Sequence, residues 1–405
     1  MKKIVIILIY FISSSLFAQD ITKEKLYLAE FALTQRDTSQ AINLLHQYLK
    51  EQPASFAGAL RLAEVYYQQN ELSKAISYSN IAIEILKEKE KEVTMVPYEV
   101  SLDTAKGAKH YQQYQKVKKD LSSLYQLAGR IRQKQENYEM ANTNFEIAYE
   151  YYASNENILI DHANLKITTG EYTDAQRMLY TALEINSKNA SAYYNLGYMF
   201  LDKNDTTKAI SFFGKSIAID SLFVPGFQAL ARLNYQDKNF ETAIKYYSGW
   251  LNADSINLEA LYNRAYAYKQ LDNKEQAVKD WQTISDYYPE QIEVVRYQGL
   301  TFMEMRRYPA AINSFNRYIR FRPDERLGYL NRGYIYMILN EYDLAHQDFD
   351  KLLQMNNEDA QAYYYKSYAL ALQGKKRKAC KTFDMALAFG YDQKQVDDLM
   401  KELCK

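Results

Sequence analysis

An alanine returns every 34 residues along most of this 405-residue chain. Ala141, Ala175, Ala209, Ala243, Ala277, Ala311, Ala345 and Ala379 keep that spacing without a slip. Four residues after each stands a large apolar side chain: Phe145, Leu179, Phe213, Tyr247, Trp281, Phe315, Phe349 and Phe383. Twelve residues before each stands a small one: Gly129, Ala163, Gly197, Ala231, Ala265, Gly299, Gly333 and Ser367. Ala41 and Ala75, with Ala29 and Ala63, add two earlier units. A fixed period of this length marks a stacked-repeat architecture, in which each unit buries its apolar face on the next.

Each unit reads as two helices of about 12–15 residues joined by a short polar turn. The best copy is "AYYNLGYMFLDKNDTTKAISFF", Ala192 to Phe213. Gly197 lies inside its first helix, where Gly costs about 0.8–1 kcal/mol relative to Ala. Small residues at two fixed places let the helices cross closely, and the aromatic four residues after the Ala fills the space beside the crossing. The chain has only 13 Gly and 6 Pro, consistent with an all-helical protein. Pro53, Pro289 and Pro323 fall where second helices end. Pro225 and Pro309 fall at helix starts, where a missing N–H costs nothing, and Pro97 alone lies outside the scheme.

This pattern resembles the tetratricopeptide repeat: aromatic-x-x-Leu-Gly-x-x-aromatic, then Ala-x-x-x-Phe. Tyr193, Leu196, Gly197, Phe200, Ala209 and Phe213 carry it here. The resemblance covers residues 22–89 and 122–393. It implies an all-α fold, an α-solenoid of about ten 34-residue helix-turn-helix repeats forming a right-handed superhelix. Arg264, Gln298, Arg332 and Lys366 replace the usual Leu, and Asn234 replaces an aromatic. Those sites are expected to be more polar in the groove or less tightly packed.

The two ends and one interior stretch depart from the period. Lys2 and Lys3, an apolar run over residues 4–12 and a cleavage site after Ala18 read as a secretory signal peptide over residues 1–18. The apolar run is too short for a membrane span. No Cys is near the cleavage site, so lipid attachment is not expected, and nor is stable membrane insertion after cleavage. Two repeats then occupy 22–89, and residues 90–121 break the pattern. "KEKEKE", Lys87 to Glu92, is expected to extend the preceding helix, Val93 to Leu102 to be extended or loop, and the chain to turn helical again from Asp103 or Thr104. The segment is either a decayed repeat or a hinge or protruding arm. Eight repeats fill 122–393. Val396, Leu399, Met400 and Leu403 have the spacing of an amphipathic capping helix over 394–405.

Little in the chain suggests catalysis. Fifty basic and fifty acidic side chains balance, which argues against a nucleic-acid partner. His346 and Asp350 lie one helical turn apart but have no evident third ligand, so neither metal nor cofactor is expected. "AISFFGKS", Ala209 to Ser216, lacks the first Gly of a phosphate-binding loop and reads as helix. "KKRK", Lys375 to Lys378, reads as a solvated turn with a residual capacity for weak contact with an anionic surface. Cys380 and Cys404 are either a disulfide, closing about 24 residues, or two buried thiols.

In the family resembled, repeat positions 2, 5, 9, 12 and 13 line a concave face, counting the small residue as position 8 and the Ala as position 20. Carried over, position 5 gives Tyr194, Gln228, Tyr262, Arg296 and Tyr364. Position 9 gives Tyr198, Arg232, Tyr266, Tyr334 and Tyr368, and position 12 adds Tyr235 and Lys269. Tyr and Arg are enriched at binding hot spots. This ladder is either a ligand groove over residues 190–372 or the filling of inter-repeat contacts. Some relatives clamp a peptide carboxylate with Lys and Asn at set positions. Asn195, Asn263 and Asn331 are present here, but no Lys stands at position 5 of the eight repeats, which disfavours that clamp. The expected function is a non-enzymatic scaffold of the bacterial envelope or periplasm that binds a protein or peptide partner, the exported chain being either periplasmic or extracellular. The alternative is a carrier or sensor for a glycan-like polymer. Self-association is left open.

Overall fold

A computed structural model describes residues 14–94 and 105–404. The leader expected over 1–18 lies mostly outside these residues, as does most of the stretch expected to be extended, including Pro97. Val93 and Thr94, expected in that stretch, instead close the helix Leu72–Thr94. All regular structure among the described residues is helical, and the chain falls into two compact units, residues 1–219 and 220–405.

The first unit holds five helix pairs among its described residues: Ser14–Thr34 with Thr38–Glu51, Phe56–Gln68 with Leu72–Thr94, Ala105–Lys134 with Tyr138–Tyr151, Glu156–Thr168 with Tyr172–Ile185, and Ala190–Asp202 with Thr206–Ile219. Gly197 sits where the helix crossing needs it. A Cβ there would lie 2.6 Å from Phe213, and one on Gly129 would lie 2.6 Å from Phe145. Both rings are fully buried, so the close approach of backbone to ring is the physical content of the small-residue period.

Both helices around the break are longer than their counterparts. The helix Leu72–Thr94 carries "KEKEKE" as expected, and Ala105–Lys134 runs unbroken from the irregular segment into the next repeat. Residues 105–121 are therefore the front half of a repeat's first helix and not a helix pair of their own. Leu86, Val93, Val117 and Leu121 are buried along these helices, and the Tyr151 hydroxyl donates to Glu90 at 3.1 Å.

The second unit holds five further pairs: Val224–Gln236 with Phe240–Ala253, Leu258–Gln270 with Lys274–Tyr287, Ile292–Glu304 with Tyr308–Phe321, Arg326–Ile338 with Tyr342–Met355, and Ala360–Leu372 with Lys376–Ala388. The polar residues that replace the usual Leu at position 7 are neither loosely packed nor turned into a groove. Arg264 donates through Nε and Nη2 to Asp280 at 2.8 and 2.7 Å, and through Nη1 to Ser248 at 2.9 Å. Arg332 repeats the arrangement with Asp348 at 2.9 and 2.5 Å and Asn316 at 2.6 Å. Gln298 donates to Gln282 at 2.7 Å, and Lys366 pairs with Asp350. Each polar residue thus ties its helix to a second helix of its own repeat, of the preceding repeat, or of both. In the first unit His162 also occupies position 7, with Nε2 2.8 Å from Asn142 Oδ1 and its ring 5.6 Å from Phe145.

The turns share a feature that sequence reading did not single out. Position 15 is left-handed in all ten pairs, from Arg36 at φ 61° and Asn70 at 62° through Gly170 at 80° to Asn340 at 61° and Gly374 at 73°. In the fifth pair Asp205 N donates to Phe200 O at 2.8 Å and Asn204 N to Leu201 O at 2.9 Å, closing the first helix. Only Gly170 and Gly374 use glycine; the other eight accept the cost of a left-handed non-glycine residue, so composition conceals the turn.

The C-terminal cap differs from its expected form. Gln393–Gln395 is a single 3-10 turn, Val396 and Asp397 are extended, and only Asp398–Leu403 is α-helical. Val396 and Met400 are nonetheless buried against Phe383 and Ala386, whereas Leu399 is exposed. The Asp397 side chain accepts from Leu399 N, an N-cap that begins the helix at Asp398, four residues later than expected. Cys380 and Cys404 form a disulfide.

Candidate functional site

The first unit carries an open cleft of about 510 Å³ on three consecutive first helices. Tyr67 at position 12 comes from Phe56–Gln68. Arg130, Gln133 and Lys134 at positions 9, 12 and 13 come from Ala105–Lys134. Asp161, Asn164 and Thr168 at positions 6, 9 and 13 come from Glu156–Thr168. Helical spacing places Arg130 and Lys134 one turn apart on one face, and stacking of the helix pairs brings the neighbouring first helices alongside.

Asp161 anchors the floor. It accepts from Arg130 Nε at 2.6 Å and from Gln126 Nε2 at 2.5 Å. Burial pushes its carboxyl up from the ordinary range, against the pull of the Arg130 guanidinium. Arg130 spends only Nε on this pair, so its terminal nitrogens remain available toward the cleft. The Lys134 ammonium lies 4.2 Å from the centroid of the Tyr67 ring and makes no ion pair among the described residues. Burial raises the Tyr67 hydroxyl above its usual value, so it stays a neutral donor at physiological pH. Gln133 donates to Asn164 at 3.4 Å. The cleft, whose lining also includes the Glu136 carboxylate, therefore offers a guanidinium edge, an exposed ammonium over a ring, and side-chain amides. These are groups that recognise an anionic side chain and a peptide backbone together.

Sequence reasoning did not single out these residues, because it applied the concave positions only from residue 190 onward. The same positions, taken in the earlier repeats, point to Tyr67, Arg130, Gln133, Lys134, Asn164 and Thr168. The Arg130–Asp161 pair joins different repeats and needs the packed structure to be seen.

The expected ladder separates into exposed, paired and buried members. In the first unit Tyr198 is 52% exposed, and Tyr194 packs between it and Phe213, with ring centroids at 6.3 and 5.5 Å. In the second unit Tyr266 is exposed, with Tyr235 at 6.3 Å. Tyr262 meets Tyr297 edge-on at 6.2 Å, and Tyr334 meets Tyr365 edge-on at 5.5 Å. The two arginines are already engaged. Arg232 holds Glu259 through Nε and Nη2 at 2.7 and 2.8 Å, and Arg296 donates to Glu293 at 2.7 Å while lying over Tyr297. Tyr364 is a buried docking post rather than a groove residue. Tyr391 stacks on it at 4.0 Å, Tyr368 lies at 6.3 Å, and its hydroxyl accepts from Asp397 N at 3.0 Å. The cap, invisible in the repeat register, converts position 5 of the last repeat from surface to core.

His346 and Asp350 do not converge on a common point. His346 Nε2 lies 3.1 Å from Gln373 Oε1, and Asp350 is engaged by Lys366. Among the described residues no cluster of three metal-ligating side chains occurs, and no helix is long and apolar enough to cross a membrane.

Models of the tetratricopeptide repeat match residues 32–78, 160–221, 259–290 and, in two overlapping stretches, 297–356 and 330–393. Among solved structures, the chain is similar to MamA at 21% identity, with 41% of this chain and 91% of that one covered and a TM-score of 0.38. A tetratricopeptide repeat protein from Parabacteroides merdae matches at 20% identity over 62% of this chain and 99% of that one, TM-score 0.35. Yeast Tom70 matches at 12% identity over 95% of each chain, TM-score 0.34. No curated protein matches in sequence. With the period, the buried ring beside the small residue at Gly129, Gly197, Gly299 and Gly333, and family models over more than half its length, the chain belongs to the tetratricopeptide-repeat proteins.

Proposed function

We propose that this protein is a non-enzymatic interaction scaffold that holds an extended segment of a partner protein on the first helices of its repeats. The observation that carries this reading is the cleft of Tyr67, Arg130, Lys134 and Asp161. Tyr67, Arg130 and Lys134 lie on the repeat positions that the family turns toward ligands, and the cations have donors that are not all spent. An acidic side chain fits the Arg130 edge and the Lys134 ammonium, while Gln133, Asn164 and Thr168 suit main-chain groups. Exposed Tyr198 and Tyr266 supply further apolar area with a hydrogen-bonding tip. Export to the bacterial envelope or periplasm is part of the proposal. The basic and apolar leader and a disulfide, which persists in oxidising compartments, support it.

Selection of peptides from a random display library on the full chain tests the reading. Binders should be enriched in Asp or Glu and should lose about tenfold or more in affinity to Arg130→Gln/Lys134→Gln, with circular dichroism unchanged. They should also weaken as salt rises. Peptides that bind this variant and a Tyr198→Ser/Tyr266→Ser/Tyr334→Ser variant as tightly as the wild type would remove both surfaces from the proposal. Salt-independent binding of an oligosaccharide, lost in the tyrosine variant, would favour the glycan-carrier alternative.

A further inference from the structure

The turn "KKRK" does not behave like the other turns of the array. Lys375, Lys376, Arg377, Lys378 and Lys381 are all exposed, and none of their side chains makes an ion pair or hydrogen bond among the described residues. Elsewhere turn cations such as Arg36, Lys238 and Arg306 also lack an ion pair among the described residues, but none of them stands in a run of four, and other turn groups cap helices or form ion pairs. Asn239 and Asn273 accept from the backbone of their helices, Lys208 pairs with Asp205, and Arg307 faces Glu275. Five uncompensated cations within seven residues of a chain with no net charge are an electrostatic expense that folding alone does not require.

Three of these cations share a cavity. Lys376, Arg377 and Lys381, on the helix Lys376–Ala388, line a cleft of about 580 Å³ with Asp384 and the Cys380–Cys404 disulfide. The disulfide joins the helix to the C-terminal cap, and the Tyr364–Asp397 contact and buried Met400 hold that cap from its other side. The cations therefore face a wall that is covalently fixed rather than a mobile tail.

We propose that this cleft is a binding site for a phosphoryl group, the dianionic or monoanionic headgroup common to phosphorylated small molecules and phospholipids. Among the described lining residues, three cations against the carboxylate of Asp384 give the excess positive charge that such a group needs. The Arg377 guanidinium supplies the planar donor pair that matches phosphoryl oxygens. The site is independent of the peptide cleft in the first unit.

Two probes separate the sources of the phosphoryl group. Pyrophosphate is titrated against the full chain by thermal shift, beside sodium chloride of equal ionic strength. Vesicles of phosphatidylcholine with phosphatidylglycerol are compared by co-sedimentation with vesicles of phosphatidylcholine alone. A saturable thermal shift with pyrophosphate and no vesicle binding assigns the site to free phosphorylated ligands. Binding confined to phosphatidylglycerol vesicles, and competed by pyrophosphate, assigns it to headgroups. In either case Lys376→Gln/Arg377→Gln/Lys381→Gln should bind about tenfold or more weakly. Lys375→Gln/Lys378→Gln, outside the cleft, should lose much less. Reduction of the disulfide in wild type should weaken binding, with circular dichroism reporting that the repeats stay folded. Absence of binding to both probes, or equal losses in the two variants, would overturn the assignment.

Discussion

Asp348→Ala is the sharpest test of the polar ties between helices. Asp348 is 3% exposed, and its carboxylate receives Nε and Nη2 of Arg332 at 2.9 and 2.5 Å. Removing it leaves a guanidinium whose side chain is only 20% exposed, with Asn316 as its remaining hydrogen-bond partner and the Tyr329 and Tyr336 rings beside it. Loss of one member of a buried pair typically costs about 3–5 kcal/mol, because the remaining charge is left uncompensated. The Asn316 contact and the partial exposure of Arg332 place the expectation near the lower end, about 3 kcal/mol. Replacing both members should cost far less. Leu occupies position 7 without exposure at Leu62 and Leu196, so Arg332→Leu with Asp348→Ala substitutes an apolar contact that the fold already accepts. The assay is urea denaturation followed by circular dichroism, with hydrogen exchange on peptides from residues 326–355 to localise the effect. Repeat arrays need not unfold in one step, so the local readout is required. A single-variant loss below about 1 kcal/mol would refute the reasoning, as would a double variant whose loss equals the sum of the two singles. Arg264 with Asp280 has the same geometry two repeats earlier, and Asp280→Ala should reproduce the result.

Gly197→Ala opposes helix propensity to packing. Propensity alone favours Ala by about 1 kcal/mol. The new Cβ would meet Phe213 at 2.6 Å, so net destabilisation of about 1–3 kcal/mol is expected in chemical denaturation, and a stabilised variant would refute the close-crossing argument. The buried His162 is pushed down to about 4 by burial, with Lys166 adding to the effect. Its neutral form is the one the fold accepts, so its contribution is complete above the unfolded value near 6.5 and is lost as pH falls toward 4. Stability should drop by on the order of 3 kcal/mol across that window, and the part due to this group should vanish in His162→Leu. Cys404→Ser should cost about 3 kcal/mol in the chain-entropy account and increase hydrogen exchange first in residues 376–404. Unchanged exchange there would show that packing of the cap suffices without the covalent tie.

The repeat was legible in sequence because its strongest terms are local and periodic. Small residue, Ala and aromatic lie on two adjacent helices, and each copy repeats the same short-range geometry, as at Gly197 and Phe213. The continuation of "KEKEKE" as helix was legible for the same reason. The left-handed turn residue was not, because Arg36, Glu136 and Lys238 carry no mark of the conformation that closing the helix imposes on them. The cap was half legible. Val396 and Met400 show apolar character, but Asp397 decides where the helix begins.

By itself the sequence determined an all-helical array, its 34-residue period, the place where that period breaks, and two cysteines near its end. Tertiary structure alone decided what the charged and aromatic residues do. Arg264 and Arg332 turn inward to meet carboxylates on neighbouring helices, Arg232 and Arg296 are neutralised, and Tyr364 is buried under the cap. Arg130 and Lys134 are left with donors to spare, and Lys376, Arg377 and Lys381 with no partner at all among the described residues. A hydrophobic period is written along one helix and can be read there. A charge is satisfied or left open only by what another helix brings within about 3 Å of it, and that distance exists only once the repeats are stacked.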